Sequence, residues 1–107
     1  MYLAYITCTD YLEAKKIALN LLENRLIACA NVITNIDSFY WWNGQIENQK
    51  ETLLLCKTNK QKINSIKKTV KEIHSYEVPA IEFIEIKDSD KDYEKWIEKE
   101  LKIMNFK

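Results

Sequence analysis

Hydrophobic positions change their period several times along the chain, and each change marks an element. Tyr2 to Cys8 mixes β-branched and aromatic residues with no helical spacing, which predicts a buried strand. Thr9 and Asp10 then offer N-cap oxygens. Behind them Ala14, Ile17, Ala18, Leu21, Leu22 and Arg25 step by three and four, while Lys15, Lys16, Glu23 and Asn24 fall on the polar side of a helix. Ala28 to Trp42 reads as one long extended stretch, in which Ala28, Ala30, Val32, Ile36, Tyr40 and Trp42 share a parity and so one face. Asn43-Gly44 predicts a type I′ hairpin turn, because both central positions need positive φ. The return strand, Gln45 to Thr58, is polar from Glu47 to Glu51 and apolar from Leu53 to Cys56. Asn59 is placed to cap a second helix carrying Ile63, Ile66, Val70 and Ile73. Pro79 ends the connection, and Ala80 to Ile86 alternates as a short strand. Asp88-Ser89-Asp90 opens a third helix with Tyr93, Trp96, Ile97 and Leu101 on one stripe.

The order β-α-β-β-α-β with an additional C-terminal helix predicts an α+β, ferredoxin-like domain. Its expected sheet is antiparallel in the order 4-1-3-2. The whole chain, 1–107, is read as one domain, because its length leaves too little core for two. The hairpin adds a sharper expectation. Arms of about 14 residues at ~3.4 Å each span ~48 Å, against a radius of gyration of ~13 Å for a compact domain of this size. The Asn43-Gly44 end must therefore project as a long β2–β3 ribbon. It carries Phe39, Tyr40, Trp41 and Trp42 in succession, so both of its faces are aromatic. A lone two-stranded ribbon cannot bury such a patch. The ribbon is thus expected to be an assembly element, with Phe39, Tyr40, Trp41 and Trp42 at the interface of a homo-oligomer. A ligand groove lined by the same aromatics is the competing reading.

Composition narrows the function classes. The 107 residues include 16 basic and 16 acidic side chains, so the zero net charge argues against a nucleic-acid partner. One glycine and one proline exclude a glycine-rich phosphate cradle and a flexible linker. No apolar run is long enough for a membrane partner. The first residues read as a strand rather than a signal peptide, which leads to an expected cytoplasmic location. Cys8, Cys29 and Cys56 form no CxxC pair and are expected as free thiols. If the hairpin register runs unbroken from Asn43-Gly44, Cys56 lies across from Asn31 and diagonal to Cys29. That invites a redox pair, although two small residues packed near a strand end are the simpler expectation.

The runs Ile6-Thr7-Cys8-Thr9, Arg25-Leu26-Ile27-Ala28-Cys29-Ala30-Asn31, Phe39-Tyr40-Trp41-Trp42-Asn43-Gly44-Gln45-Ile46-Glu47, Leu55-Cys56-Lys57-Thr58 and His74-Ser75-Tyr76-Glu77-Val78-Pro79 closely resemble the CutA divalent-cation tolerance family. The blocks keep the family's order and cover nearly the whole chain. The resemblance implies a ferredoxin-like subunit in a tight homotrimer, similar in architecture to the PII signalling proteins. It also implies a link to copper and other divalent metal ions. The copper site it implies takes a Cys at the end of the first strand and two adjacent His after the second helix. Cys8 and His74 match; the first His falls on Ile73, and the family's Glu after the proline is Ala80.

A thiolate and an imidazole suit copper or zinc, but two ligands are too few for tight binding. Asp10, Glu77 or a symmetry-related subunit would have to complete the shell. The competing reading packs Cys8 in the core and lets His74 cap its helix. A Cys–His pair is also a nucleophile–base constellation, yet no oxyanion loop or third orienting residue is identifiable. The sequence therefore predicts no enzyme. It predicts a trimer that binds copper weakly, a PII-like regulator binding a small ligand or partner protein, or a purely structural trimer.

Overall fold

The computed structural model describes residues 1–102. Its strands are β1 (Tyr2–Cys8), β2 (Cys29–Trp42), β3 (Gln45–Thr58) and β4 (Ile81–Glu85). Its helices are α1 (Tyr11–Glu23), α2 (Ile63–Ile73) and α3 (Lys91–Leu101). They form one antiparallel sheet in the order β2-β3-β1-β4, the expected arrangement read from the other edge. Asp10 caps α1 and Asp90 caps α3 through their side chains, as the polar residues ahead of each apolar stripe foretell. Asn59 does not cap α2. It opens a 3-10 turn, Lys60–Lys62, and its buried Oδ1 has no hydrogen-bond partner among the described residues.

Ala4, Ile6 and Cys8 of β1 and Leu54 and Cys56 of β3 point to one face of the sheet. There they pack with Ala14, Ile17, Ala18 and Leu21 of α1 and Ile66 and Val70 of α2. The period-2 alternation of the strands puts Leu3, Tyr5, Leu53 and Leu55 on the opposite face, where they are half-buried. Ile33 and Ile84 sit on that face too and are 47% and 52% exposed.

The hairpin turn has positive φ at Asn43 (51°) and Gly44 (77°), as the type I′ reading requires. The ribbon stretches the molecule to 50 × 29 × 21 Å, with a radius of gyration of 14.8 Å. Its register is not continuous, however. From Trp42↔Gln45 back to Ile36↔Glu51 the pairing follows the turn; a β-bulge then intervenes, and Ile33 pairs with Leu53. Asn35, at φ 62°, absorbs the extra residue.

The bulge corrects two expectations. Ala30 and Val32 face the helices, paired with Cys56 and Leu54, whereas Ile36, Tyr40 and Trp42 lie on the other face with Glu51, Glu47 and Gln45. Cys56 is opposite Ala30, not Asn31. Cys29 is opposite Lys57 and points away from Cys56, with its Sγ 3.4 Å from the Tyr93 hydroxyl. All three cysteines are free.

Candidate functional site

Three chain segments meet where β1 ends. Cys8 shares the parity of Ala4 and Ile6, so its thiol enters the core and is fully buried. Asp10 Oδ1 accepts the Glu13 N–H at 2.9 Å. Glu13, in the first turn of α1, reaches back to accept the Thr9 N–H at 2.9 Å, the reciprocal geometry of a capping box moved by one residue. Its second oxygen accepts the Ser75 N–H at 2.7 Å and so ties the start of α1 to the segment after α2.

His74 ends α2, its N–H bonded to Val70 O at 2.8 Å. Its side chain is fully buried and both ring nitrogens are engaged: Nε2 lies 2.8 Å from Thr7 O, and Nδ1 lies 3.0 Å from the Tyr76 amide nitrogen. A carbonyl oxygen only accepts and an amide N–H only donates. In this geometry Nε2 donates to Thr7 O and Nδ1 accepts the Tyr76 N–H. Nδ1 is also 3.8 Å from Glu13 Oε2.

The structure thus brings Cys8 and His74 together and adds Glu13; one ligand atom from each lies within 4.8 Å of the others. Burial pushes the Cys8 thiol up to about 12, and the nearby Glu13, Glu51 and Asp10 carboxylates push the same way, so it is a protonated thiol at neutral pH. Burial alone would raise Glu13 as well. The Thr9 and Ser75 donors outweigh it and hold the carboxyl below the usual range.

A thiol, an imidazole and a carboxylate suit copper or zinc by donor type. A metal here would first have to take the proton from Cys8 and free Nδ1 from the Tyr76 N–H, so the residues fit a weak site rather than a tight one. Neither expected helper belongs to the cluster: Asp10 is committed to the cap, and Glu77 is exposed. Glu13 was the missed residue, and the Asp10-x-x-Glu13 spacing was the available signal.

Phe39 and Trp41 are 69% and 71% exposed, Tyr40 and Trp42 37% and 45%. At the ribbon's root, Tyr40 donates to Gln49 Oε1 at 2.5 Å, Gln49 Nε2 donates to the Tyr76 hydroxyl at 3.3 Å, and Tyr76 donates to Glu51 Oε2 at 2.5 Å. Burial first, then the Glu51 carboxylate, raise the Tyr76 phenol well above its ordinary range. These residues border a cavity of about 600 Å³. Thr7 and Tyr76 link it to the buried cluster, since both also hold the His74 ring.

Residues 2–100 match the family described as CutA1 divalent ion tolerance protein. This chain belongs to that family. It is 42% identical over 102 residues to the divalent-cation tolerance protein CutA of Pyrococcus horikoshii, covering 95% of this chain and 99% of that relative. A crystal structure of the Pyrococcus CutA1 superposes with a TM-score of 0.90 at 41% identity, over 96% of this chain and all (100%) of that one. CutA from Archaeoglobus fulgidus, described as a periplasmic divalent cation tolerance protein, superposes with a TM-score of 0.92 at 38% identity, over 95% of this chain and 100% of its own. Membership links the chain to divalent-cation tolerance. The family is described by tolerance to ions, not by a reaction. No described helix is long and apolar enough to cross a membrane.

Proposed function

We propose that this CutA-family chain serves divalent-cation tolerance as a cytoplasmic homotrimer, a binding protein rather than a catalyst, with copper held weakly at Cys8, Glu13 and His74. The observation that carries the assembly is the continuity of two uncovered apolar surfaces. The sheet face bearing Leu3, Tyr5, Ile33, Leu53 and Leu55 runs into the ribbon bearing Tyr40 and Trp42. Patches of this kind on one subunit mark contacts between copies, and the family resemblance supports three copies as the number. The donor types at Cys8, Glu13 and His74 support the metal reading, and their existing hydrogen bonds support a low affinity.

Sedimentation at micromolar concentration gives about three times the 12.7 kDa subunit mass if the assembly reading holds; a lone subunit refutes it. Calorimetric titration with copper tests the cluster separately. Binding strengthens with rising pH, because a proton must leave Cys8. It falls in both Cys8→Ser and His74→Ala. Equal binding in the wild type and both variants removes the site.

A further inference from the structure

The outer face of the helix layer carries a charge that neither the metal reading nor the assembly reading uses. Ala14, Ile17, Ala18 and Leu21 of α1 and Ile66 and Val70 of α2 turn to the core, so the remaining sides of both helices face solvent. The exposed charges there are Lys15, Lys16, Lys67, Lys68 and Lys71, against Glu23 and Glu72. Glu13 is turned into the junction with Ser75, and Asp10 is committed to the cap. Among the described residues none of these lysines forms an ion pair. The zero net charge of the chain is thus an average over unlike faces. Much of the balancing acid lies in α3 and the link before it, at Asp88, Asp92, Glu94 and Glu98. That helix meets the other face of the sheet, with the Tyr93 hydroxyl 3.4 Å from Cys29 Sγ. Leu12 and Leu19, 72% and 47% exposed, stand among the α1 lysines. Seven residues apart, they share one side of the helix, ~10 Å from each other along its axis.

We infer that this face docks the protein on an anionic lipid surface, with Leu12 and Leu19 entering the headgroup layer and the surrounding lysines meeting the headgroup anions. Lysine suits a diffuse sheet of charge, because its ammonium is a compact point charge on a long apolar stem. A specific protein partner is the poorer fit. Protein-docking patches are enriched in arginine and poor in lysine, and the one arginine of the chain, Arg25, is engaged by Glu100 at 2.9 Å. A nucleic-acid backbone offers the lysines phosphates but offers the leucines no apolar layer. The expectation of no membrane partner rests on spanning length, and no described helix is long and apolar enough to cross a bilayer. Lying on the surface needs only an amphipathic, basic face. The sheet face assigned to sister copies is on the other side of the sheet, so the helix layer stays turned outward in that assembly. The docking face includes none of Cys8, Glu13 and His74, and it stands whether or not copper binds there.

The test is co-sedimentation of the intact protein with vesicles of equal parts phosphatidylserine and phosphatidylcholine, and with vesicles of phosphatidylcholine alone. Analytical sedimentation without lipid runs in parallel on every variant, so that loss of assembly is not mistaken for loss of docking. We expect saturable binding to the anionic vesicles, about tenfold or more tighter than to the neutral ones, and weakening as salt rises. Lys68→Glu should weaken it by about fivefold or more. Leu12→Gln, which leaves every charge in place, should weaken it by a few fold. Lys95→Glu makes the same change of net charge on α3, outside the face, and should leave binding close to that of the wild type. Absence of saturable binding at low salt overturns the inference, as does equal binding to the two kinds of vesicle. Binding unchanged in both Lys68→Glu and Leu12→Gln overturns it too, and so does an equal loss in Lys95→Glu and Lys68→Glu. Polyglutamate held as tightly as the anionic vesicles, with Leu12→Gln making no difference, assigns the face to an acidic protein instead and overturns the lipid reading. A trimer that sediments intact yet ignores the vesicles refutes the docking face and leaves the assembly reading standing.

Discussion

Replacing Glu13 by Gln removes one negative charge from the junction of three segments. The side chain is 9% exposed and accepts two backbone N–H groups, Thr9 at 2.9 Å and Ser75 at 2.7 Å. Gln keeps one acceptor oxygen, so one bond survives as a neutral one, weaker by ~1 kcal/mol. At the other position its NH₂ meets an N–H, and a charge-assisted bond of ~1.5–3 kcal/mol is lost. The expected cost is ~2–4 kcal/mol per subunit at neutral pH. The pH dependence carries the stronger inference. The folded carboxyl titrates below its unfolded value, so its stabilisation is complete above the unfolded pKa, ~4.3, and disappears as pH falls through the lower folded value. The gap between wild type and Glu13→Gln therefore narrows on acidification. Urea unfolding followed by circular dichroism, at one fixed protein concentration and at neutral and acid pH, measures it. A neutral-pH difference well under ~1 kcal/mol, or a gap that widens in acid, refutes the reasoning.

Trp42→Asp places a charge in the proposed aromatic interface at a cost of several kcal/mol, and sedimentation should report subunits smaller than the wild-type assembly. Asn35→Val forces a β-branched residue to φ 62° and should cost roughly 1–2 kcal/mol in urea unfolding, whereas Asn35→Gly should be close to neutral. Burial pushes the Cys8 and Cys56 thiols each up to about 12, so Ellman's reagent at mildly alkaline pH should leave both unreacted in the native protein and modify both after unfolding; Cys29, only half-buried, should react first.

Much of this molecule is written locally. The capping aspartates, the three- and four-residue apolar steps of α1 and the Asn43-Gly44 turn act over a few residues, and each appears where its local chemistry requires. The succession of elements then constrains the sheet, because short connections and antiparallel pairing leave few alternatives. The length of the arms by itself requires an overhang, and the four consecutive aromatics make that overhang apolar on both faces.

Local patterns did not determine which face the ribbon's aromatics take or what surrounds Cys8. A face assignment counts residues in steps of two, and one inserted residue reverses every position beyond it. Asn35 is a polar residue in a polar stretch, so the bulge has no hydrophobic signature; the pairing of Val32 with Leu54 and of Ile36 with Glu51 reveals it. The cluster of Cys8, Glu13 and His74 spans more than sixty positions, and so does the bond between Glu13 and Ser75. Residues that distant meet only because β1 lies between β3 and β4 and α2 returns over the same sheet face as α1. Sequence therefore supplied the elements and their order. Packing supplied the handedness of each face and the company each polar group keeps, because both depend on contacts between segments that no local pattern encodes.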